Sequence, residues 1–513
     1  MYFRCLQRRT LSAFPRACQY RRPFATQVHT TRTVKPTQYG QPVSASHPHL
    51  IKAHEVTPGI PHKEYDRRRK ALMDSLPENS IVVSVAGQVK YMSGRNYKFR
   101  QASDFWYLTG FEEPDSAVIL EKNSSPRGYR MSLFCSGKDS AKEQWDGART
   151  SFADAMSKFG MDDAQHISGL TSAVKRYGAA ATHVYMDVPH SLASSRRGRS
   201  PSQAAIQKIL ALAGLPAQSE HVDSLVESIA GTKRKPLAPE VSKLRAIKST
   251  TEQQIMRAAA DISGRAHAKT MRFTEPGMSE HSVAAHFDYI CSLSGAQRLA
   301  YVPVVASGPN SLIIHYTSNN QLIEDGEMIL LDAGCEYNGY ASDITRTYPA
   351  SGKFNPAQAE LYSALLAVQK KMITYCTEAS QMSLAEIHRE SSDMLQKELN
   401  KIGFNLRGTH GAGDVARVLY PHYVGHPIGV DLHESTNHDR NGSLKAGMVI
   451  TIEPGVYVPA HPSYPKQFHN MGIRIEDEVL VDKNHPVVLS VNAPKEIPDI
   501  EGACQGSIGL TAI

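Results

Sequence analysis

The chain has 513 residues, of which 41% are hydrophobic and 21% charged, and its mean hydropathy is −0.35. This composition is typical of a globular protein and excludes a disordered or collagen-like chain. No segment approaches the roughly 18 consecutive apolar residues of a membrane-spanning helix, so we expect no transmembrane segment, and the length suggests roughly two to four domains.

The net charge of +7 comes from the start of the chain. Residues 1–54 contain nine Lys and Arg and no Asp or Glu, so the remaining residues have 48 basic against 50 acidic side chains. The body of the chain therefore gives no electrostatic reason to bind DNA or RNA, and we expect no nucleic-acid partner.

The basic segment MYFRCLQRRTLSAFPRACQYRRPFATQ is rich in Arg, contains hydroxyl side chains and has scattered apolar residues. These features are typical of a mitochondrial transit peptide rather than a secretory signal, with a disordered basic arm as the alternative. We assign residues 1–54 to a presequence and linker. The seven cysteines are widely spread without a C-x-x-C pair, which favours reduced thiols in a protein that is not secreted.

Residues 61–235 predict an α/β domain, because strand-like and helical segments alternate along them. Helices are predicted over 64–76 and 141–159, and the polar segment 194–203 predicts a solvated loop. The strand-like segments are 80–87, 116–121, 129–135 and 182–188.

Residues 239–495 predict a second domain of the α+β class, because two helical blocks are separated by strands. The first block is an amphipathic helix pair over 239–271 with more helix to about residue 295. Strands follow over 300–350, helices over 356–402 and strands again to about 491, and residues 496–513 predict a loose tail.

The segment EMILLDAGCEYNGYASDITRTY contains the first pair of candidate metal ligands. Its Asn338-Gly339 pair predicts a type I′ hairpin turn, which would place Asp332 opposite residue 345 and Asp343 diagonally on the same face. Diagonal neighbours lie ~7–8 Å apart, so the two carboxylates could hold metal ions between them. The alternative is two solvent-facing acids. Cys335 is interpreted as a half-buried strand residue rather than a nucleophile.

Three further segments supply the other candidates. PHYVGHPIGVDLHES contains His422, His426 and His433, and VITIEPGVYV places Glu453 in an apolar strand. MGIRIEDEVLV does the same for Glu476, with Arg474 as a salt-bridge partner expected to brace the ligands. Buried acids are costly unless they are paired or bound to metal. Together the segments offer four carboxylates and one imidazole, a mostly oxygen-donating set for two divalent ions.

The order and spacing of five of these residues resemble the dinuclear metallopeptidases with the pita-bread fold, a family that includes methionine aminopeptidase, aminopeptidase P and prolidase. The segment YKFRQASDFWYLTGFEEPDS resembles the N-terminal domain of aminopeptidase P. The implied fold is an N-terminal α/β aminopeptidase P-type domain followed by a C-terminal pita-bread domain. The implied metal ligands are Asp332, Asp343, His426, Glu453 and Glu476.

The resemblance also implies the roles of individual residues. Asp343 and Glu476 would bridge two metal ions, Asp332 would chelate one, and His426 and Glu453 would complete the other. His315, His422 and His433 match the histidines that contact the substrate, with ordinary structural histidines as the alternative. The oxygen-rich ligand set and the resemblance favour Mn²⁺, with Co²⁺, Fe²⁺ and Zn²⁺ as alternatives.

The implied activity is that of a mitochondrial aminopeptidase that removes one bulky hydrophobic N-terminal residue from imported proteins after presequence cleavage. Two cations lower the pKa of a bridging water, the resulting hydroxide attacks the first peptide carbonyl, and Glu453 carries its proton to the leaving amine. A general Xaa-Pro aminopeptidase, which requires proline after the cleaved bond, is the alternative. A non-catalytic peptide-binding module is a more remote one.

The implied partners are the N-termini of imported mitochondrial proteins or peptides, together with a second copy of the chain in a homodimer. We expect the protein in the mitochondrial matrix, with peripheral attachment to the inner membrane as the alternative. The segment Arg22-Pro23-Phe24-Ala25 in its own presequence resembles the site that such an enzyme serves, so we expect cleavage between Phe24 and Ala25. The alternative is that Phe24 is one apolar residue of the targeting segment.

Overall fold

We describe the protein from a computed structural model, which places residues 35–92, 95–187, 233–406, 415–434 and 438–507. The expected cleavage between Phe24 and Ala25 and the expected loop over 194–203 lie outside the described residues.

The N-terminal part of the chain is built around a mixed sheet of six strands, which agrees with the predicted α/β character. The strands of this part are β1 Glu55–Thr57, β2 Ile60–Pro61, β3 Ser80–Val85, β4 Tyr91–Met92, β5 Arg95–Asn96, β6 Ala117–Lys122, β7 Tyr129–Cys135, β8 Asp163–His166, β9 His183–Met186 and β10 Arg234–Lys235. The spatial order in the sheet is β10-β9-β3-β6-β7-β8, with antiparallel pairing in the centre (β3 with β6, β6 with β7) and parallel pairing towards both edges.

The helices of this part differ from the prediction at one point. The single helix expected over 141–159 is two helices, because Gly147 ends the first with φ +88 and the side chain of Ser151 caps the second. The helices are α1 His62–Ser75, α2 Ser103–Thr109, α3 Ser140–Asp146, α4 Phe152–Phe159 and α5 Leu170–Ala180.

The C-terminal part begins with the predicted helix pair, and its α+β class is confirmed. A capping box of Ser249 and Glu252 starts the second helix of the pair, where each side chain bonds the backbone N–H of the other residue. The helices are α6 Ala238–Ala246, α7 Thr250–Phe273, α8 Glu280–Leu293, α9 Pro356–Ile373, α10 Leu384–Lys401 and α11 Ile497–Gln505.

The described strands of the C-terminal part pair antiparallel in small sheets. The predicted turn is confirmed, because Asn338 (φ +49) and Gly339 (φ +82) connect two strands and Asp332 pairs with Thr345. The strands are β11 Arg298–Leu299, β12 Val304–Ser307, β13 Met328–Asp332, β14 Cys335–Tyr337, β15 Tyr340–Ala341, β16 Thr345–Pro349, β17 Val449–Ile452, β18 Gly455–Val458, β19 Met471–Arg474, β20 Asp477–Leu480 and β21 Val487–Val488.

Both ends of the described chain are more ordered than the sequence suggests. Gln41, Val43 and Ile51 are buried although they belong to the expected linker, and Gln41 Nε2 donates to the carbonyl of Gly110. The expected tail contains helix α11, whose Ile500 and Ala503 are buried in the main hydrophobic core. The apolar faces of these segments are hard to recognise in sequence because they are short.

The N-terminal part packs directly on the hairpin that joins β14 to β15. The ring of Trp106 lies edge-on to Tyr340 at 5.8 Å between centroids, and Arg68 Nη2 donates to Tyr340 Oη at 3.0 Å. Tyr340 Oη in turn donates to Glu252 Oε1 at 2.9 Å. The hairpin is therefore held between the two parts of the protein. Among the residues described here, no helix is both long and apolar enough to cross a lipid bilayer.

Candidate active site

The ends of several strands of the C-terminal part bring the four predicted carboxylate ligands to one place. Asp332 ends β13, and Asp343 follows the hairpin just before β16. Glu453 lies between β17 and β18 and Glu476 between β19 and β20, so both follow a strand rather than lying within one as predicted. Both carboxylates thus leave the sheets at points where the strands end.

Asp343, His426 and Glu476 form the tightest group of candidate metal ligands among the described residues. One ligand atom of each lies within 4.8 Å of the others, and Asp343 Oδ2 is 3.3 Å from His426 Nε2. His426 Nδ1 donates to the carbonyl of Pro427 at 3.0 Å. That bond orients the ring so that Nε2 points towards the carboxylates, where it would be the metal-binding atom of the neutral imidazole.

Asp332 lies beside this group and is held by two side chains. Arg474 Nη2 is 2.5 Å from Asp332 Oδ2, so its salt bridge is with Asp332 and not with Glu476, the partner expected from the sequence. Tyr301 Oη lies 2.5 Å from Asp332 Oδ1 and 2.6 Å from Asp343 Oδ1. Tyr301 was not predicted, because it precedes β12 and no spacing in the sequence connects it with the two aspartates.

Arg474 itself is fully buried and has several partners. Its Nη1 donates to Tyr457 Oη at 2.7 Å and its Nε to Thr345 Oγ1 at 3.1 Å. Thr345 Oγ1 also donates to Glu476 Oε2 at 2.7 Å. Arg474 and Thr345 therefore orient carboxylates on both sides of the group.

The carboxylates carry more negative charge than the side chains around them neutralise. Burial and the neighbouring carboxylates of Asp343 and Glu453 raise the pKa of Glu476 well above its usual value. Burial also raises the pKa of Glu453 to about 7, although His426 acts in the opposite direction. Repulsion of this kind is relieved by cations, and oxygen-rich donor sets suit hard divalent ions. The residues present therefore fit divalent metal ions.

Glu453 lies between two histidines at the edge of the group. Its Oε1 is 3.8 Å from His426 Nε2, and its Oε2 is 3.8 Å from His422 Nδ1. The hydrogen bond to Asp343 and the charge of Glu453 raise the pKa of His426 to about 9, against the effect of burial.

The remaining predicted histidines line a cavity of about 680 Å³ that opens onto the ligands. His422 Nε2 contacts Tyr457 Oη at 2.9 Å, and burial lowers the pKa of His422 to about 3, so its ring is neutral at physiological pH. The ring of His433 lies 4.3 Å from that of His426 between centroids. His315 is exposed on the cavity wall.

Apolar side chains line other parts of the cavity, including Val302, Ile314 and Leu432. Val302 is 63% exposed. Cys335 lies in a strand as predicted but is fully buried rather than half-buried, and its Sγ lies 3.6 Å from the carbonyl of Ala259.

Comparisons with known proteins agree with the architecture and the site. The family described as "Metallopeptidase family M24" matches residues 254–483, and the "Aminopeptidase P, N-terminal domain" matches residues 65–185. Intermediate cleaving peptidase 55 of Saccharomyces cerevisiae is 36% identical over 93% of this chain and 91% of its own length. Its crystal structure without the N-terminal 58 residues has a TM-score of 0.77 and 34% identity, covering 89% of this chain and 100% of its own.

Two further relatives have the same sequence identity to this chain. Xaa-Pro aminopeptidase 3 of Rattus norvegicus is 36% identical and covers 91% of both chains. Intermediate cleaving peptidase 55, mitochondrial, of Arabidopsis thaliana is 36% identical over 92% of this chain and 88% of its own length.

Proposed function

The chain belongs to metallopeptidase family M24 and is a metalloaminopeptidase, and from this we propose that it removes a single N-terminal residue from imported mitochondrial proteins. The proposed residue is bulky and hydrophobic, such as Tyr, Phe or Leu, and the presequence has been cleaved beforehand. The observation that carries the proposal is the group of Asp343, His426 and Glu476 at the base of the cavity, with Asp332 and Glu453 beside it.

The location is proposed from two independent features. The first 54 residues contain nine basic and no acidic side chains, as transit peptides do. The similar protein of Arabidopsis thaliana is described as mitochondrial. We propose the mitochondrial matrix, either free or attached to the inner membrane, and a homodimer as the assembly.

The five ligands divide between two metal ions in this proposal. Asp343 and Glu476 would be shared by both ions, while Asp332 holds one and His426 and Glu453 hold the other. When bound, the two ions lower the pKa of a water molecule and polarise the scissile carbonyl. Manganese is the proposed metal because four of the five donors are carboxylates.

The side chains of the chain perform the remaining steps. Glu453 accepts a proton from the attacking water and delivers it to the leaving amine. His433, whose ring lies 4.3 Å from that of His426 between centroids, donates a hydrogen bond to the oxyanion that forms after attack. His315 and His422 contact the substrate on either side. The free α-amine fits the closed end of the site, so one residue is removed at a time.

A general Xaa-Pro aminopeptidase is the second candidate, because a similar protein from Rattus norvegicus carries the name Xaa-Pro aminopeptidase 3. The two candidates differ only in whether proline must follow the cleaved bond. Two peptides that differ at this position, Phe-Ala and Phe-Pro followed by the same sequence, separate them when kcat/KM is measured for both.

The cellular experiment compares the N-termini of mitochondrial proteins with and without this enzyme. Cells that lack it are expected to accumulate proteins one residue longer than normal, with Tyr, Phe or Leu in first position. Re-expression of the wild type should restore the shorter N-termini, and Glu453→Gln should not. Unchanged N-termini in the deficient cells would contradict the proposal.

A further inference from the structure

The loop formed by residues 426–434 carries both His426 and His433 and is closed by the residue that follows His433. The backbone N–H of Glu434 donates to the carbonyl of Pro427 at 3.0 Å, and Glu434 Oε2 accepts from the N–H of Asp431 at 3.0 Å. A Cβ on Gly429 would lie only 2.6 Å from Glu434 Oε1. The carboxylate of Glu434 therefore fills the inside of this loop and sets its shape.

Arg245 of helix α6 holds this carboxylate from the side away from the cavity. Its Nε donates to Glu434 Oε1 at 3.1 Å and its Nη2 to Glu434 Oε2 at 2.9 Å. The Arg245 side chain is 5% exposed, and that of Glu434 is 3% exposed. This is the two-pronged pairing that fixes a carboxylate in both position and plane.

The same guanidinium reaches two more carboxylates. Arg245 Nη2 lies 2.7 Å from Asp431 Oδ2, and its Nη1 lies 2.6 Å from Asp104 Oδ1. Asp104 belongs to helix α2 of the N-terminal part, so Arg245 links that part to the loop. A lysine could not make these contacts together, because an ammonium group lacks the fork of five donors.

The other cation near Glu434 does not make hydrogen bonds of this kind. Lys248 Nζ is buried and lies 3.9 Å from Glu434 Oε1, and it makes no hydrogen bond within the described residues. It contributes charge to the cluster without fixing the orientation of the carboxylate. The geometry of the loop therefore depends on Arg245.

We propose that Arg245 is a positioning residue for catalysis: by clamping Glu434, it holds the adjacent His433 at the place where the oxyanion forms. The inference rests on the catalytic part proposed for His433 and extends it to a side chain that does not line the cavity. It also implies that the salt bridge between Asp104 and Arg245 affects catalysis.

The test compares Arg245→Lys with Arg69→Lys. Arg69 is a matched control, because its side chain is 4% exposed and donates to Tyr129 Oη at 2.7 Å and to the carbonyl of Leu108 at 2.9 Å, both in the N-terminal part. Both variants keep the positive charge of the side chain and lose a buried guanidinium group. We expect Arg245→Lys to lower kcat roughly tenfold to a hundredfold, as small misplacements do, with KM and metal content unchanged. Arg69→Lys should keep the wild-type kcat.

A double-mutant cycle with His433→Ala separates positioning from a general loss of stability. If Arg245 acts through His433, adding Arg245→Lys to His433→Ala should change kcat less than twofold. If the kcat of the double variant fell by the product of the two single losses, the inference would be overturned. A kcat for Arg245→Lys equal to that of Arg69→Lys would also overturn it.

A substitute variant and two further outcomes complete the test. If Arg245→Lys does not fold, Glu434→Gln is used instead, and the same fall in kcat is expected. Its amide oxygen still accepts from the N–H of Asp431, but the negative charge that pairs with Arg245 is removed. Wild-type kcat in His433→Ala would show that the role proposed for His433 is wrong, and the inference would fall with it. A low kcat in His433→Ala with a normal kcat in Arg245→Lys would overturn the inference alone.

Discussion

Asp343 is one of the two candidate ligands that flank the hairpin. Its side chain reaches His426 and Tyr301, and its backbone N–H donates to Glu478 Oε1 at 2.9 Å. The charge of His426 and its hydrogen bond keep the pKa of Asp343 below its usual value even though burial acts to raise it. Asp343 is therefore ionised and in the centre of the group, as a ligand shared by two cations should be.

We predict that Asp343→Asn abolishes activity, with a loss of more than roughly a hundredfold, the upper range for residues that only support a ligand. The substitution removes one negative charge from a ligand that both metal ions would share in the proposed site. Asp332→Asn, on the other side of the hairpin, is the matched control. It should lose less activity, because Asp332 would hold only one ion. Metal content and turnover are measured on the same samples. Full turnover in metal-depleted Asp343→Asn protein would rule out the dimetal site.

For Glu453→Gln we predict a loss in turnover rather than in affinity. The amide keeps an oxygen donor but accepts no proton, and general acid–base catalysis typically contributes roughly a hundredfold to ten-thousandfold. Metal binding should be weakened but detectable. Steady-state kinetics with metal analysis provide the measurement. If KM rose while kcat held, Glu453 would be a positioning group and the base would lie elsewhere.

The sequence identified candidate ligands where acids lie among apolar residues, because such acids are costly unless something neutralises them. It did not identify Tyr301, whose hydroxyl meets the aspartates only after β12 and β13 have paired. Of the two residues that orient the carboxylates, Arg474 could be predicted from the sequence and Thr345 could not. Arg474 was expected because it lies two residues from Glu476, whereas a threonine in a strand gives no chemical signal of its own.

The hairpin between β14 and β15 is the element that connects the ligands to the rest of the protein. A Cβ on Gly339 would lie 2.5 Å from the ring of Trp106, and Gly339 has a φ of +82. The N-terminal part therefore packs against the turn so closely that only glycine fits. Gly326 has nearly the same φ of +83 but has no atom within 4 Å of the Cβ position.

We predict that Gly339→Ala destabilises the protein more than Gly326→Ala does. Both pay about 1–2 kcal/mol for a left-handed alanine, and Gly339→Ala adds about 1–3 kcal/mol for the clash with Trp106. Urea denaturation gives the free energies of unfolding, and metal titration shows whether Asp332 and Asp343 have moved. Equal stability of the two variants would show that Trp106 does not press on the hairpin.

Elements were predicted well where a local signal defines them and less well at their ends. Asn338-Gly339 specified its turn because positive φ is needed at two successive positions, which few residue pairs tolerate. Glu453 was placed inside a strand, but the strand ends at Ile452, just before Glu453 and Pro454. Helix 141–159 was predicted as continuous because the polar pattern around Gly147 does not reveal the break.

At the scale of the whole molecule, the N-terminal part and the catalytic part share buried polar contacts. Arg68 of α1 lies 3.3 Å from Glu252 of α7 and donates to Tyr340, and the three side chains are fully buried. Buried networks of this kind are strongly disrupted when one member is lost. The sequence predicted two domains but not these contacts, because they join residues up to 272 positions apart.

The start of the mature chain follows from the same packing. Gln41, Val43 and Ile51 are buried, so we expect the mature N-terminus to lie before residue 41. If the enzyme processes its own presequence, the wild type from mitochondria should begin at Ala25. Glu453→Gln, expressed without the normal enzyme, should begin at Phe24. N-terminal mass spectrometry distinguishes the two, and an identical N-terminus in both would refute self-processing.

The most direct test of the account is to measure metal content and cleavage together on purified protein that begins at Ala25. Metal is removed with a chelator and Mn²⁺ is added back in steps, while release of Phe from a Phe-Ala peptide is followed. We predict that the metal-free protein is inactive, that activity rises to a plateau at two ions per chain, and that Phe is released as the single N-terminal residue. Full activity without metal, or no release of Phe with two ions bound, would contradict it.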